Sequence, residues 1–221
     1  MKCNPNRFRL IIGDEELERI GNGCNEKYFK FVGLKFDEFL TWEHHINHVT
    51  KRISSSIFAL NQTKKLLPMN VRKILYNSLV QPFLEYGITA WGSAKRKLLG
   101  KIEQLQKKAV RCISNSSYNS HTEPLFGKLK LLKLSDIFDI ASKTIMFKYK
   151  TGKLPKSFDN MFEELALGNR TMSYRIEKIR HTSLNIFPKV YLPKIWNALP
   201  LDVKSSSSIK IFQKSIKIVA F

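Results

Sequence analysis

From Trp42 onward the apolar residues recur three or four apart: Trp42, Ile46, Val49, Ile53, Ile57 and Leu60. That spacing marks one buried face of a helix, and a buried face needs a partner to cover it. The pattern returns after Pro68. There Asn70 stands as a candidate cap ahead of Val71, Ile74, Leu75, Leu79 and Phe83, with Pro82 set to kink or break the helix near its end. Aromatics Phe83, Tyr86 and Trp91 then crowd the turn up to Gly92. A third run, residues 95–113, places Leu98, Leu99, Ile102, Leu105, Ala109, Val110 and Ile113 on one stripe. Further helical stretches are expected over 135–150 and 157–167, and a last amphipathic one over 208–219, opened by a serine run with Ser208 as cap. The expected fold class is mainly α, a helical bundle.

Before Trp42 the pattern differs. The stretch FVGLKFDEFLTW crowds aromatic and aliphatic residues around Gly33, and short aromatic-rich runs read as strand. Residues 8–12 and 28–36 are the two strand candidates, separated by the acidic cluster Asp14, Glu15, Glu16 and Glu18. Thr41 is the expected cap of the first helix. Two strands alone are marginal in water, so this small β piece is expected to be incomplete, with uncovered edges.

Charge narrows the function. The 221 residues carry 38 Lys and Arg against 18 Asp and Glu, a net of +20. Residues 93–221 hold 25 of the basic and 9 of the acidic ones, a net of +16. Such a chain draws polyanions, because neutralising phosphates releases condensed counterions. The third helical run shows where: Lys95, Arg96, Lys97, Lys101, Lys107, Lys108 and Arg111 form a basic face interrupted by Glu103. Contacts of this kind position a nucleic acid without reading its sequence. Three widely spaced cysteines, Cys3, Cys24 and Cys112, indicate neither a disulfide framework nor a thiolate zinc site. No signal-peptide or membrane-spanning run is evident, so the expectation is an intracellular protein of cytoplasm or nucleus with no membrane partner.

Catalytic motifs are missing. There is no Gly-rich phosphate loop and no nucleophile elbow. His44 and His48 lie one helical turn apart, a metal-ligand spacing, but Glu43 precedes the pair instead of following its first histidine, so the zincin geometry is absent. No catalytic residue, metal ligand or cofactor is expected in this chain. Trp42, Trp91 and Trp196 each sit in an apolar pattern and are expected in the core.

The stretch from Phe29 to Ile46, FKFVGLKFDEFLTWEHHI, resembles the segment that closes the palm in reverse transcriptases of non-LTR retrotransposons. Four further stretches are similar to that family in the same order: Asn4-Pro-Asn-Arg7; LYNSLVQPFLEYGITAWG with IEQLQKKAVRCI; HTEPLFGKLKLLKLSDIF; and KIWNALP. The resemblance is to the jockey-like group. It implies an end of palm over 1–40, a helical thumb over 41–115 and a further helical region over 116–221. It also implies RNA and DNA as template-primer partners, with Val32 and Gly33 in the strand that grips the primer. Two departures are evident: the family usually has leucine at the position of Val32 and lysine at that of Arg7. The parent enzyme would need Mg2+, held by an Asp-Asp hairpin, and this sequence contains no Asp-Asp pair. The chain by itself is therefore expected to be an inactive C-terminal part of an RNA-directed DNA polymerase, without the fingers and most of the palm. Its alternatives are a stand-alone basic helical binding or interaction module, and a membrane-surface protein anchored through 208–219.

Overall fold

The computed structural model describes residues 11–16, 20, 21, 24, 26–165, 172–176 and 187–218. The expected strand residues 8–10, the Asn4-Pro-Asn-Arg7 stretch and Val219 lie outside the described residues. Within them the chain is mainly helical, with two small antiparallel ribbons near the N-terminus. Strand β1 (Ile11–Ile12) pairs with β2 (Glu15–Glu16), and β3 (Phe29–Phe31) pairs with β4 (Leu34–Phe36).

The stretch expected as one strand over 28–36 is instead a hairpin that folds back at Val32-Gly33, with Phe29 opposite Phe36 and Phe31 opposite Leu34. Both turn residues take left-handed backbone, φ 45° at Val32 and 80° at Gly33. Two positive φ values in a two-residue loop match the right-handed twist of the flanking strands, which is why such loops close hairpins. Glycine adopts that conformation without strain; valine does not.

The hairpin leads into α1 (Glu43–Gln62) through an arrangement that the helical spacing does not reveal. Trp42, not Thr41, occupies the cap position, in left-handed backbone and without a side-chain cap. Asp37 organises the turn: its two carboxylate oxygens accept the N–H groups of Thr41 and Trp42, each at 2.8 Å. Helix α2 (Met69–Leu79) starts behind Pro68, so Asn70 falls inside its first turn and does not cap it. Pro82 ends the expected long second helix by opening a new one. It stands at the start of α3 (Gln81–Glu85), where a missing N–H leaves no bond unmade. Helix α4 (Ile88–Trp91) and α5 (Arg96–Ser114) follow.

Beyond these lie α6 (Glu123–Leu129), α7 (Leu134–Lys150), α8 (Pro188–Asn197), α9 (Leu201–Lys204) and α10 (Ile209–Ile218). The helix expected over 157–167 is not formed over the part of it that is described, 157–165. A 3-10 turn at Lys156–Phe158 gives way to extended backbone, where Glu164 bridges Tyr174 and the Arg175 N–H donates to the Glu163 carbonyl at 2.8 Å. The cap expected at Ser208 is present: its Oγ accepts the N–H of Ile211 at 3.3 Å.

Two apolar clusters hold the chain together. The first runs from Trp42 to Ile137 and includes Ile46, Ile53, Tyr76, Leu84, Trp91, Ile102, Ile113 and Phe126. The second gathers Ile140, Met146, Phe147, Phe162, Trp196, Phe212 and Ile216. Helix α7 contributes to both. All three tryptophans are buried, as their apolar settings imply. The apolar face of α10 is already in use: Phe212 stacks on Phe147 with ring centroids 4.4 Å apart, and Ile216 is buried beside it. That packing turns Phe212 and Ile216 of the helix into the core and leaves Ile211 exposed. Among the described residues no helix is long and apolar enough to cross a membrane.

Candidate nucleic-acid interface

Helix α5 turns one side to the protein and the other to solvent. Leu98, Ile102, Ala109, Val110 and Ile113 are buried, and this side packs on α1. At about 100° per residue the basic residues of the helix fall within the remaining arc. Lys97, Lys101 and Lys108, spaced four and seven apart, share one line along it, and Arg96 and Lys107 share the next. Lys95, Lys97, Lys101, Lys107 and Lys108 are exposed. None of the five has an ion-pair partner among the described residues.

The other two cations are engaged. Arg96 Nη1 lies 2.9 Å from Glu103 Oε1, so the one acid on this face neutralises its neighbour and not the lysine line. Arg111 is half-buried, and its Nε donates to the Ser120 carbonyl at 2.9 Å, tying down the loop after α5. Charges at 95–97 also oppose the helix dipole, whose N-terminus favours anions. A row of unpaired lysines beside a cationic first turn makes a strip of positive potential that a phosphate backbone relieves.

Val32 and Gly33 belong to a different element. The Tyr86 hydroxyl donates to the Val32 carbonyl, and a Cβ placed on Gly33 would meet Tyr86 Cε1 at 3.4 Å. Leu34 leans on Gly87, and β4 packs on α1. Six of the seven cations thus lie on α5 with Lys95 just before it, and the hairpin tip is held from the α3–α4 turn. Tyr86 and Asp37 are the positioning residues that sequence patterns miss. The crowding of aromatics before Gly92 is the one signal that pointed toward Tyr86.

The histidines of α1 separate by environment. His45 is 3% exposed between the rings of Trp42 and Trp91, with centroids 6.2 and 5.8 Å away, and neither ring nitrogen has a hydrogen-bond partner. Burial, reinforced by His48 and Lys35, lowers its pKa to about 4. His44 and His48 gain no third ligand: among the described residues no three His, Cys, Asp or Glu side chains converge. Asp37 spends both carboxylate oxygens on backbone N–H groups.

Comparison with known proteins bears on what this surface belongs to. Over 119 residues, 52% of the chain, it is 29% identical to an RNA-directed DNA polymerase from the mobile element jockey of Drosophila melanogaster. The counterpart from Drosophila funebris is 30% identical over the same length, and a probable RNA-directed DNA polymerase from transposon BS of Drosophila melanogaster is 28% identical over 105 residues. The chain carries a jockey-like reverse-transcriptase region. The matched stretch amounts to 13% of each jockey protein and 12% of the BS protein. No family model and no solved structure matches the chain.

Proposed function

We propose that this jockey-like region follows the catalytic palm of a non-LTR retrotransposon reverse transcriptase and holds template-primer nucleic acid without performing the chemistry. In this reading residues 1–40 end the palm, 41–115 form the thumb and 116–221 the following helical region. The catalytic aspartates and their Mg2+ belong to parts of the polymerase outside this sequence.

The observation that carries the reading is the lysine line of α5, exposed and without ion pairs among the described residues, on a helix whose other side is locked into the core. A solvated face of mixed sign would serve solubility equally well. This face has one acid, and that acid is taken by Arg96.

The test is binding of an RNA–DNA hybrid across a salt series, with Lys97, Lys101, Lys107 and Lys108 changed to glutamine. Arg111 is left intact because it secures the loop to Ser120. Each lysine that neutralises a phosphate adds about one to the slope of log affinity against log salt, so the quadruple variant is expected to flatten the slope by about three to four. An unchanged slope rejects α5 as the gripping surface.

A further inference from the structure

Helices α5, α6 and α7 converge on a cleft of about 180 Å3. The core fixes its floor. Phe126 and Leu134 line the cleft and are buried, and so is Gln106, whose side chain bonds Tyr76, Leu132 and Leu134 and so ties α5 to α2 and to the start of α7. The cleft is therefore preformed, because closing it would disturb the packing beneath it.

Its walls carry both signs of charge. Arg96 reaches two turns along its own helix to Glu103, with 2.9 Å between Nη1 and Oε1. Lys133, just before α7, pairs with Glu123 of α6. Lys107 lines the same cleft with no ion-pair partner among the described residues. Three cations thus face two carboxylates in one small space. Both pairs are open to water, with the Arg96 and Glu123 side chains 81% and 76% exposed. Pairs so exposed contribute little, and a ligand can take over their partners at small cost.

We propose that this cleft binds a phosphate monoester of a small polyol, with the phosphate among Lys107, Lys133 and Arg96 and the polyol hydroxyls on Glu103 and Glu123. A phosphate presents three free oxygens and accepts from donors that arrive from different elements, which a planar carboxylate does less well. The guanidinium has five N–H donors and the ammonium three, so Arg96 and Lys133 keep donors to spare while paired, and each glutamate keeps lone pairs for a hydroxyl. A purely cationic groove would take any polyanion. Two carboxylates in the walls select a ligand that also donates hydrogen bonds, and they repel a bare phosphate chain. The volume lies below the roughly 300–1,000 Å3 of pockets for drug-sized ligands, which limits the body to a few carbons. The cleft shares Lys107 with the surface proposed above but does not depend on that surface holding nucleic acid.

The experiment titrates glycerol 3-phosphate into the whole chain by calorimetry and follows the amide signals of Lys107, Glu123 and Ser135, which also lines the cleft, by NMR. Wild type is compared with Lys133→Gln, Glu123→Gln and Lys210→Gln, the last an exposed lysine of α10 that controls for diffuse attraction. Lys133→Gln is expected to weaken binding about tenfold or more, the loss of a hydrogen bond to a charged group. Glu123→Gln frees Lys133 yet keeps an acceptor oxygen, and is expected to tighten binding about two- to fivefold. Lys210→Gln is expected to change nothing. A gain cannot come from misfolding, so the Glu123→Gln arm decides even where Lys133→Gln weakens the fold. No binding by wild type, equal weakening in Lys133→Gln and Lys210→Gln, or no shift at the three cleft amides overturns the site. Inorganic phosphate that binds as tightly as glycerol 3-phosphate overturns the polyol assignment, and glycerol that binds as tightly overturns the role of the phosphate. A chain that binds glycerol 3-phosphate but no RNA–DNA hybrid keeps this cleft and loses the grip on α5; the reverse result keeps the grip and overturns the cleft.

Discussion

Val32 and His45 show how single residues in this chain depart from what folding alone would choose. A β-branched side chain at φ 45° is strained by about 1–3 kcal/mol, and Val32 stays there because Tyr86 holds its carbonyl and Gly33 completes the turn. Its side chain is 67% exposed, so burial returns none of that strain. His45 has the opposite situation, fully enclosed with two unpartnered nitrogens. Its folded pKa of about 4 lies below the unfolded value near 6.5, so the unfolded chain binds the extra proton between those two values. Stability from this site is complete above about pH 6.5 and is lost as pH falls toward 4. The difference amounts to about 3 kcal/mol, at 1.36 kcal/mol per unit. His45→Phe keeps the ring between Trp42 and Trp91 and removes the titration. Urea unfolding at a series of pH values should show wild type weakening through that window and the variant weakening less by about that amount. Parallel curves would mean that His45 is protonated without cost, against the geometry.

Among the elements, Gln106 makes the most consequential polar links. Its Nε2 donates to the Tyr76 hydroxyl at 3.1 Å and to the Leu132 carbonyl at 2.9 Å, while its Oε1 accepts the Leu134 N–H at 3.0 Å. One buried side chain on α5 thereby fastens α2 and the first turn of α7. Gln106→Leu fills similar space but leaves a buried hydroxyl, a carbonyl and a helix-start N–H unpaired, at about 1–3 kcal/mol for each group that water does not reach. A loss of about 2–4 kcal/mol in denaturant unfolding is expected, and a loss below 1 kcal/mol would show that water takes over these bonds. Nothing in the spacing around Gln106 announces this, because the period of α5 requires only that the position face inward. The same limit explains which parts of the fold were legible. Helices α1, α2, α5, α7 and α10 repeat apolar residues over several turns, and their faces follow from that. Short α6 and α9 carry too few turns to show a period, Pro188 and Pro193 in α8 read against a helix, and 157–167 was misread because two or three helical matches also suit an extended pair. At the site, the basic arc of α5 was readable from residue spacing alone. The hold of Tyr86 on the Val32 carbonyl was not, because it depends on a turn at Val32-Gly33 that the strand pattern does not show.

For the whole molecule, the question is whether the two apolar clusters behave as one folding unit. A chain of this length often unfolds through intermediates, and the proposed boundary near 115 would favour separate transitions. The packing argues otherwise. Helix α7 runs without a break from Leu134 and Ile137 in the first cluster to Met146 and Phe147 in the second. Phe138 presses on Gly92, where a Cβ would lie 2.3 Å from its ring, and lies tilted against Tyr191 with ring centroids 5.2 Å apart. The Tyr191 hydroxyl donates to the Thr89 carbonyl, linking α8 to α4 directly. Unfolding either cluster alone would expose half of a continuous helix and break these contacts. By contrast the hairpin shows Phe29 and Phe31, 52% and 59% exposed, and owes its place to few contacts. The tryptophans report on each part: Trp91 lies in the first cluster and Trp196 in the second. Variants keeping only one of these two residues, with the other tryptophans changed to phenylalanine, should show urea midpoints that coincide once each is corrected for its own stability. Coincident transitions would mean that the two clusters unfold as one cooperative unit. Two separated midpoints would place a hinge within α7, at the step from Ile137 to Ile140 where its side chains change clusters.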